Sequence, residues 1–339
     1  MHIPILSLGL LGGLTFAAPA PAPAPAPAPV PVPVPTAAAL LPRVRGTEWI
    51  NYTTLTGFFL QDESSTVPGG FDYWQKFEHY VWRLNRGSGR NVQYKVLYLG
   101  RHGEGYHNVA ESYYGTPLWN CYWSLQDGNG TSVWADAKIT SNGVAQALKA
   151  NAFWANAIKT TKTPLPESYY SSPLTRCLQT SNLTFSGLDL PSGKPFIPTV
   201  KEFFREGISG HTCDRRGTKS YIQSSFPTYN IEAGFTETDE LWKPLLAEER
   251  ENQDIRSKQV LDDVFGSDDS TYISVTSHSG EITSLLRVLK HRVFSLSTGQ
   301  VIPVLVKAET IVAGAPATTT LPWSAISTCA SPVPGATSP

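Results

Sequence analysis

The most informative stretch of this sequence is Val92–Asn108, which reads VQYKVLYLGRHGEGYHN. Its first part, residues 92–99, is a short and largely apolar run with β-branched and aromatic side chains, as is typical of a buried strand. Gly100 ends the run, and Arg101 and His102 follow at once. The sequence therefore predicts a strand that places a basic pair at its carboxyl end.

Three similar runs occur later in the chain, and helical patterns lie between them. The runs predict further strands at residues 168–171, 272–276 and 302–307. Capping residues and apolar spacing predict helices from Thr140 or Ser141 to Ile158, from Leu174, over Trp242–Val264 and over Glu281–Val293. This alternation indicates an α/β fold, a three-layer sandwich whose mainly parallel central sheet has helices on both faces. An inserted cap is expected to contain the loop from Glu206 to Glu240.

Side chains with useful chemistry follow three of the predicted strands. Arg101 and His102 follow the first, Arg176 follows the second in Ser-Ser-Pro-Leu-Thr-Arg, and His278 follows the third in Thr-Ser-His-Ser-Gly. In sheets of this kind the site lies outside the carboxyl ends of the strands, so these side chains are expected to converge. Glu206 lies between the second and third of these strands in sequence.

The residue types in this set indicate phosphoryl transfer through a phosphohistidine. Two guanidiniums can clamp the oxygens of an anion, and an imidazole can attack phosphorus. A second imidazole can donate to the same phosphoryl group, and a carboxylic acid can protonate the departing alkoxide. Glu206 is the preferred acid, with Glu104 and Glu281 as alternatives.

Neither a metal nor a cofactor is expected. His102, His107 and His211 are not favoured as a metal site, because they lack the H-x-H and H-E-x-x-H spacings. Glycine-rich loops of the dinucleotide or nucleoside-triphosphate type are also missing from the sequence.

Four ordered motifs resemble the histidine phosphatase superfamily, in its phosphoglycerate-mutase-like branch. The first is Arg101–Asn108, in which Arg-His-Gly is followed by an asparagine seven residues after the arginine. The other three are Asp136 with Ile139-Thr140, Gly143 and Gln146-Ala147; Ser172–Arg176 with Thr180; and Ser277–Gly280. The resemblance spans about residues 92–307, and the motif spacing and the stretch His211–Arg216 are similar to fungal mutase-like proteins of a secreted type.

This resemblance implies a role for each matched residue. His102 is expected to be the phosphorylated nucleophile, and Glu206 the proton donor. The phosphate pocket is expected to be formed by Arg101, Arg176 and His278, with Asn108 as an added contact.

The sequence departs from the mutase pattern after Glu206, where it continues Gly-Ile-Ser-Gly-His-Thr-Cys-Asp-Arg-Arg. This departure favours a phosphomonoesterase that hydrolyses a small phosphorylated metabolite. Glu104, Arg215 and Arg216 are candidates for further substrate contacts, and a solvated or structural role is the alternative for the two arginines. Three other functions stay open: a phosphoglycerate-type phosphomutase, a non-catalytic binder of phosphorylated ligands, and a family member recruited to a biosynthetic reaction.

The charge balance agrees with a small anionic substrate. The 339 residues include 27 Lys and Arg against 28 Asp and Glu, a formal net charge of -1. A nucleic-acid-binding protein usually has a basic excess, so nucleic acid is not an expected partner.

Both ends of the chain differ in composition from its centre. Residues 1–17 resemble a cleavable signal peptide, with an apolar run of 16 residues from Ile3 to Ala18, which is short for a membrane span. Residues 18–45 form a linker rich in proline and alanine, and residues 312–339 are expected to be a disordered tail. The globular domain is therefore expected over residues 46–311, in a secreted protein with no membrane contact after cleavage.

The cysteines and the glycosylation motifs fit an oxidising compartment. Four cysteines allow three pairings, of which Cys121 with Cys213 is preferred. The Asn-X-Thr triplets begin at Asn51, Asn129 and Asn182.

Overall fold

A computed structural model describes residues 48–63, 65, 73–330 and 333. Its main feature is a seven-stranded sheet with the order β1-β8-β2-β7-β3-β4-β5, and β6 pairs with β9 separately. The strands are β1 Glu48–Leu55, β2 Val92–Arg101, β3 Ser168–Ser171, β4 Thr199–Val200, β5 Asn230–Ile231, β6 Leu246–Ala247, β7 Tyr272–Ser277, β8 Val301–Val312 and β9 Ser324–Ala325. The α-helices are α1 Tyr73–Gly87, α2 Tyr106–Tyr114, α3 Thr116–Cys121, α4 Ser141–Asn156, α5 Thr175–Phe185, α6 Lys219–Ser225, α7 Arg250–Ser267 and α8 Ser279–Val288.

The predicted α/β fold with a mainly parallel sheet is confirmed. Strands β2, β7, β3, β4 and β5 are parallel to one another. The exception is β8, which contains the predicted strand at residues 302–307 and is antiparallel to both β2 and β1. In the parallel part, Arg101 is opposite Ser277 and Ser171 is opposite Thr276, so the carboxyl ends of three strands lie side by side.

Helices cover both faces of the sheet, as expected for a three-layer sandwich. Alternating residues of β2 point to opposite faces. Leu97 and Leu99 pack in the core with α7 and α8, whereas Val96 and Tyr98 pack in a second core with α1 and α4. The near-continuous apolar run in β2 is therefore explained by burial of both faces.

Two of the predicted helices have different bounds in the structure. The helix expected from Trp242 begins only at Arg250, because the preceding segment forms β6 and pairs with β9. The last helix ends at Val288 rather than Val293, and Lys290 just beyond it has a left-handed backbone with φ of 58°.

Thr140 is the residue that caps α4. Its hydroxyl accepts a hydrogen bond from the backbone N–H of Gly143 at 3.1 Å. Such a contact satisfies one of the N–H groups that a helix leaves without a partner in its first turn.

Part of the predicted inserted cap belongs to the central sheet. Within the segment from Glu206 to Glu240, α6 is followed by β5, and β5 pairs in parallel with β4. The segment therefore extends the edge of the sheet beside the strand ends instead of forming a fully separate cap.

The expectation of a disordered tail from residue 312 was wrong over residues 312–330. Strand β9 pairs with β6. The side-chain amide of Asn252 donates to the backbone carbonyl of Leu321 and accepts from its backbone N–H. Cys329 forms a disulfide with Cys121, and its backbone N–H donates to the carbonyl of Cys121 at 3.2 Å. We call residues 312–330 the C-terminal segment.

The preferred pairing of Cys121 with Cys213 was also wrong. Cys213 is a buried free thiol, as is Cys177. Sequence spacing carried no information on this pairing, because the partner of Cys121 lies 208 residues away in a segment that was expected to be unstructured.

The expected signal peptide and linker, residues 1–45, lie outside the described residues. In the part of the chain that the structure describes, none of the helices combines the length and the apolar character needed to cross a membrane.

Candidate active site

The ends of four neighbouring strands bring the predicted site residues to one edge of the sheet. Arg101 is the last residue of β2 and His102 follows it, while His278 follows β7. Arg176 lies in the first turn of α5, directly after β3, and Glu206 follows β4 and a short 3-10 helix at Glu202–Phe204.

His102 is held in one orientation by the backbone around it. Its Nδ1 lies 2.8 Å from the carbonyl oxygen of Gly103, and a carbonyl only accepts, so Nδ1 carries the proton in the neutral ring. Nε2 then carries the lone pair and has no hydrogen-bond partner among the described residues. Burial, followed by the charge of Arg176, lowers the pKa of His102 well below its ordinary value of 6.5.

The loop that carries His102 is packed against the start of α4. A side chain at Gly103 would collide with the carbonyl group of Gly143, and a side chain at Gly143 would collide with the backbone of Glu104. The N–H of Gly103 donates to the hydroxyl of Thr180 at 2.9 Å. Glycines at both positions thus allow the close backbone approach that fixes the loop.

Arg176 and His278 form a buried hydrogen-bonded pair beside His102. The Nε of Arg176 donates to Nδ1 of His278 at 3.2 Å, so the proton of the neutral His278 ring is on Nε2, which lies 2.8 Å from the hydroxyl of Ser172. The centroids of the His102 and His278 rings are 5.1 Å apart. Burial is the main cause that lowers the pKa of His278, and Arg176 adds to it.

The two terminal nitrogens of Arg176 each contact the segment that follows Glu206, and each nitrogen has a second N–H group. Nη1 donates to the carbonyl of Cys213 at 2.6 Å, and Nη2 lies 3.6 Å from a carboxylate oxygen of Asp214. Asp136 accepts from both the N–H and the hydroxyl of Thr175, which holds the first turn of α5 in place. The support given by Asp214 was not predicted, because no local pattern relates it to a residue 38 positions earlier.

Arg101 has a donor without a partner. Its Nη1 donates to the carbonyl of Leu296 at 2.6 Å, but its buried Nε makes no hydrogen bond to any described residue. Burial lowers the pKa of Arg101, and the nearby charge of Glu206 opposes this effect. A buried N–H of this kind is costly unless a ligand or water accepts from it.

Glu206 lies at the first turn of α8. Its Oε1 accepts from the N–H of Gly207 and of Glu281, each at 3.0 Å, and its Oε2 accepts from the N–H of Gly280 at 3.3 Å. Burial and, secondly, the charge of Asp214 raise the pKa of Glu206, while the N–H contacts oppose the shift. This position combines a fixed carboxyl group with a shift toward its protonated form.

The two alternative acids have structural partners. The Oε1 of Glu104 accepts from the hydroxyl of Thr140 at 2.7 Å, which ties the loop after β2 to the cap of α4. Glu281 is a residue of α8, and its carboxylate accepts hydrogen bonds from Ser257 and Arg256 of α7. Burial raises the pKa of Glu281 to about 7.

Asn108 is partly committed to its own helix. Its Oδ1 accepts from the N–H of Gly105 at 3.0 Å, in the capping box of α2. Its amide nitrogen makes no hydrogen bond to the described part of the chain.

The expected contact of Arg216 with substrate does not fit its surroundings. Its guanidinium is buried, forms an ion pair with Glu202 at 2.8 Å, donates to Thr236 and Thr238, and lies 4.0 Å from the centroid of the Phe235 ring. These contacts make Arg216 a structural residue.

Arg215 is in a different setting from its neighbour. It lies at the surface, 2.8 Å from a carboxylate oxygen of Asp127 and 5.0 Å from the ring centroid of Trp242. Arg215 therefore forms a solvent-exposed ion pair with Asp127.

One group of side chains near the site has donor atoms that metals bind. Single ligand atoms of His211, Cys213 and Asp214 lie within 4.8 Å of one another. However, Asp214 already accepts from Ser209 at 2.7 Å and pairs with Arg176. Burial also raises the pKa of the Cys213 thiol, so in this arrangement the group supports the arginine.

His107 was not among the predicted site residues, yet it lies beside the predicted nucleophile. Its ring centroid is 5.3 Å from that of His102, and its Nδ1 is buried without a partner among the described residues. Its place in the Arg101–Asn108 motif was the available signal.

Comparison with known proteins identifies the family of the chain. Residues 97–300 match the family model for the histidine phosphatase superfamily (branch 1). The chain is 49% identical over 287 residues to the "Probable phosphoglycerate mutase" of Arthroderma benhamiae, covering 77% of this chain and 85% of that protein. It is 33% identical over 259 residues to the "Probable phosphoglycerate mutase PMU1" of Saccharomyces cerevisiae, covering 70% of this chain and 88% of that one.

A mycobacterial glucosyl-3-phosphoglycerate phosphatase is among the solved structures that resemble the chain. The identity is 18%, the TM-score is 0.37, and the match covers 62% of this chain and 91% of that structure. The family model covers more than half of the chain and includes each of the four motifs found in the sequence. The chain therefore belongs to the histidine phosphatase superfamily, branch 1.

Proposed function

We propose that this protein is a phosphomonoesterase that hydrolyses a small phosphorylated metabolite through a phosphohistidine at His102. The observation that carries the proposal is the state of His102. Its ring is fixed through Nδ1, its lowered pKa keeps it neutral, and Nε2 is left with its lone pair. The charge of the adjacent Arg101 reaches this ring, and the buried Nε of Arg101 has no partner among the described residues. A neutral, oriented imidazole close to a guanidinium with an unused donor suits attack on a phosphoryl group that the guanidinium binds.

In the first step, Nε2 of His102 forms a bond to phosphorus as the bond from phosphorus to the ester oxygen breaks. The negative charge on the phosphoryl oxygens is stabilised by Arg101 and Arg176, with Asn108 as a further contact. His278 becomes another contact when its Nε2–H exchanges the Ser172 hydroxyl for a phosphoryl oxygen. The protonated carboxyl of Glu206 gives its proton to the departing alkoxide, which leaves as an alcohol.

In the second step, the Glu206 carboxylate takes a proton from water as the water oxygen attacks phosphorus. The bond between phosphorus and Nε2 breaks, inorganic phosphate leaves, and both His102 and Glu206 return to their starting states. The N–H groups at the first turn of α8 support the carboxylate between the two steps, because a helix N-terminus favours a negative charge.

A phosphomutase is the second candidate, and it is favoured by the names of the two fungal relatives. A mutase shares the first step, but the phosphoryl group on His102 is then transferred to an acceptor hydroxyl instead of water. The two activities differ only in the fate of the phosphoenzyme.

The test is phosphate release from a panel of phosphate monoesters by the unaltered protein and by His102→Ala. His79→Ala is the matched control, because His79 is an exposed histidine of α1 that stacks on Trp82. We expect release by the unaltered protein and the control and a loss of at least about 1000-fold in His102→Ala. Release that survives His102→Ala would contradict the mechanism.

A single-turnover measurement with 3-phosphoglycerate as acceptor separates the two candidates. If water is the main acceptor, inorganic phosphate forms at the same rate with and without the acceptor. Transfer to the acceptor in preference to water would replace the phosphatase with the mutase.

We also propose that the protein enters the secretory pathway. The disulfide between Cys121 and Cys329 supports this, because such bonds persist mainly in oxidising compartments. Recovery of the protein from the culture medium of its producing cells, with residues 1–17 removed, is the expected result. Retention of the intact chain inside the cell would contradict it.

A further inference from the structure

The site contains a third histidine, and one of its ring nitrogens has no hydrogen-bond partner among the described residues. His107 is the second residue of α2, and its ring lies 5.3 Å from His102, on which the phosphoryl group is proposed to reside. The charges of Arg176 and Arg101 both reach this ring. His107 is thus inside the electrostatic environment of the phosphate pocket.

The Nδ1 atom of His107 is a buried polar atom that makes no hydrogen bond to any described residue. Buried polar groups in folded proteins nearly always have a partner, so an atom of this kind calls for a specific explanation. The missing partner of Nδ1 is explained if an atom of the bound substrate forms this hydrogen bond.

The chain makes room for this ring at Gly105. A Cβ atom at that position would lie 2.6 Å from Nδ1 and 2.7 Å from Cε1 of His107. The φ of Gly105 is -103°, which any residue adopts, so the backbone itself does not require glycine there. The close approach of the imidazole is therefore the structural reason for glycine at this position.

The charges around His107 favour an anionic partner. Burial lowers its pKa well below the ordinary value, and Arg176 is the next cause, so the ring is neutral in the absence of an anion. A neutral imidazole donates from one nitrogen, and a phosphoryl oxygen is a strong acceptor. The positive charges of the two arginines, which disfavour a proton on this ring, also attract a dianionic phosphate group.

We propose that His107 is a further substrate contact, whose Nδ1–H donates a hydrogen bond to a phosphoryl oxygen of the bound ester. This assignment rests on the proposed function for the position of the phosphoryl group. It adds to the two arginines and His278 a donor on the side of α2, within the same Arg101–Asn108 motif that contains the proposed nucleophile.

Three variants separate this contact from a structural role. His107→Asn keeps an amide nitrogen near the position of Nδ1, whereas His107→Leu fills similar space without any donor. His79→Leu is the matched control at the exposed histidine of α1.

Binding of orthophosphate and of orthovanadate is measured by titration of tryptophan fluorescence, together with kcat and KM for an aryl phosphate. For His107→Leu we expect binding of both anions to weaken at least about 10-fold and kcat/KM to fall about 100-fold. His107→Asn is expected to restore most of both losses, and His79→Leu to leave both unchanged.

The melting temperature distinguishes a substrate contact from a packing role, because loss of a packing residue lowers it. Because His107→Leu removes a buried polar atom without a partner, its melting temperature is expected to equal or exceed that of the unaltered protein. Lower stability with unchanged anion binding would overturn the proposal and leave the phosphatase intact. Weaker anion binding in a protein that hydrolyses no ester would retain the contact and overturn the proposed function. Failure of the unaltered protein to bind either anion would overturn both.

Discussion

Three histidines lie together in this site, and their ring nitrogens have different contacts. In His102, Nδ1 is bound to a carbonyl and Nε2 has no partner among the described residues. In His278, both nitrogens are engaged, by Arg176 and by Ser172. Of these two rings, only that of His102 is fixed and has an unused lone pair, and this difference supports the proposal that His102 is the nucleophile.

The choice of acid can be tested at Glu206 and Glu104. Glu206→Gln removes the proposed donor, so turnover of alkyl phosphates is expected to fall about 100-fold or more, while activated aryl phosphates are affected far less. Glu104→Gln keeps an acceptor for Thr140 and is expected to change both substrates equally and by less than about 10-fold. The measurement is kcat/KM across leaving groups of graded pKa. Selective loss with poor leaving groups in Glu104→Gln would exchange the two roles.

The pH profile of kcat/KM follows from two pKa shifts of opposite direction. His102 must be neutral to attack, and its lowered pKa places the loss of activity on acidification below pH 6.5. Glu206 must be protonated to act as acid, and its raised pKa places the loss of activity on the alkaline side above 4.5. We therefore expect an optimum in weakly acidic solution, with the alkaline limb missing in Glu206→Gln. A profile that rises steadily from pH 5 to pH 9 would contradict both assignments.

At the scale of elements, the site depends on how the first turn of α8 meets the segment after β4. Two N–H groups that the helix itself leaves unpaired contact the carboxylate of Glu206. A side chain at Gly280 would collide with this carboxylate. Glycine is therefore needed at this position to leave space for the Glu206 carboxylate, not to form the helix.

Gly280→Ala is expected to displace Glu206 and to lower kcat for alkyl phosphates about 10- to 100-fold, with the fold retained. Gly266→Ala in α7 is the matched control, because a Cβ there meets nothing within 4 Å. Steady-state kinetics and circular dichroism of both variants provide the check. Equal activity of the two variants would show that the carboxylate does not need its observed position.

The C-terminal segment supports the same region from outside. Its β9 pairs with β6, and the side chain of Ile326 lies against Gly210, in the segment that carries Glu206 and Asp214. Cys329 closes the segment onto α3 through the disulfide with Cys121.

Loss of this disulfide is expected to destabilise the protein. It links residues 208 positions apart, so Cys329→Ser releases a long loop in the unfolded chain and is expected to reduce the free energy of unfolding by about 3 kcal/mol. Urea unfolding of the unaltered protein with and without reductant, beside the variant, measures this effect. The reductant is expected to lower the urea midpoint of the unaltered protein and to leave that of Cys329→Ser unchanged. An equal decrease in both proteins would show that the effect of the reductant does not come from this disulfide.

For the whole molecule, the strands that carry the site were predictable because their signals are local. The apolar run of β2 and the motifs that follow β2, β3 and β7 lie within a few residues of one another. Parallel pairing then brings their ends together, since the carboxyl ends of parallel strands share one edge of the sheet.

The remaining features depend on contacts between distant residues, and the sequence carried no local signal for them. The direction of β8 is set by its pairing with β1 and β2, not by its composition. Likewise, the order of the C-terminal segment comes from a disulfide and from β6. The support of Arg176 by Asp214, and the unpartnered nitrogen of His107, appear only once the folded backbone brings these side chains together.

The central claim is that the phosphoryl group resides on His102 during turnover. The most direct test is rapid quenching of the protein with a phosphate monoester, followed by mass spectrometry of its peptides under alkaline conditions that preserve phosphohistidine. The account predicts one added phosphoryl group on the peptide that contains His102, and none in His102→Ala. Phosphorylation of another residue, or turnover by His102→Ala at the rate of the unaltered protein, would contradict it.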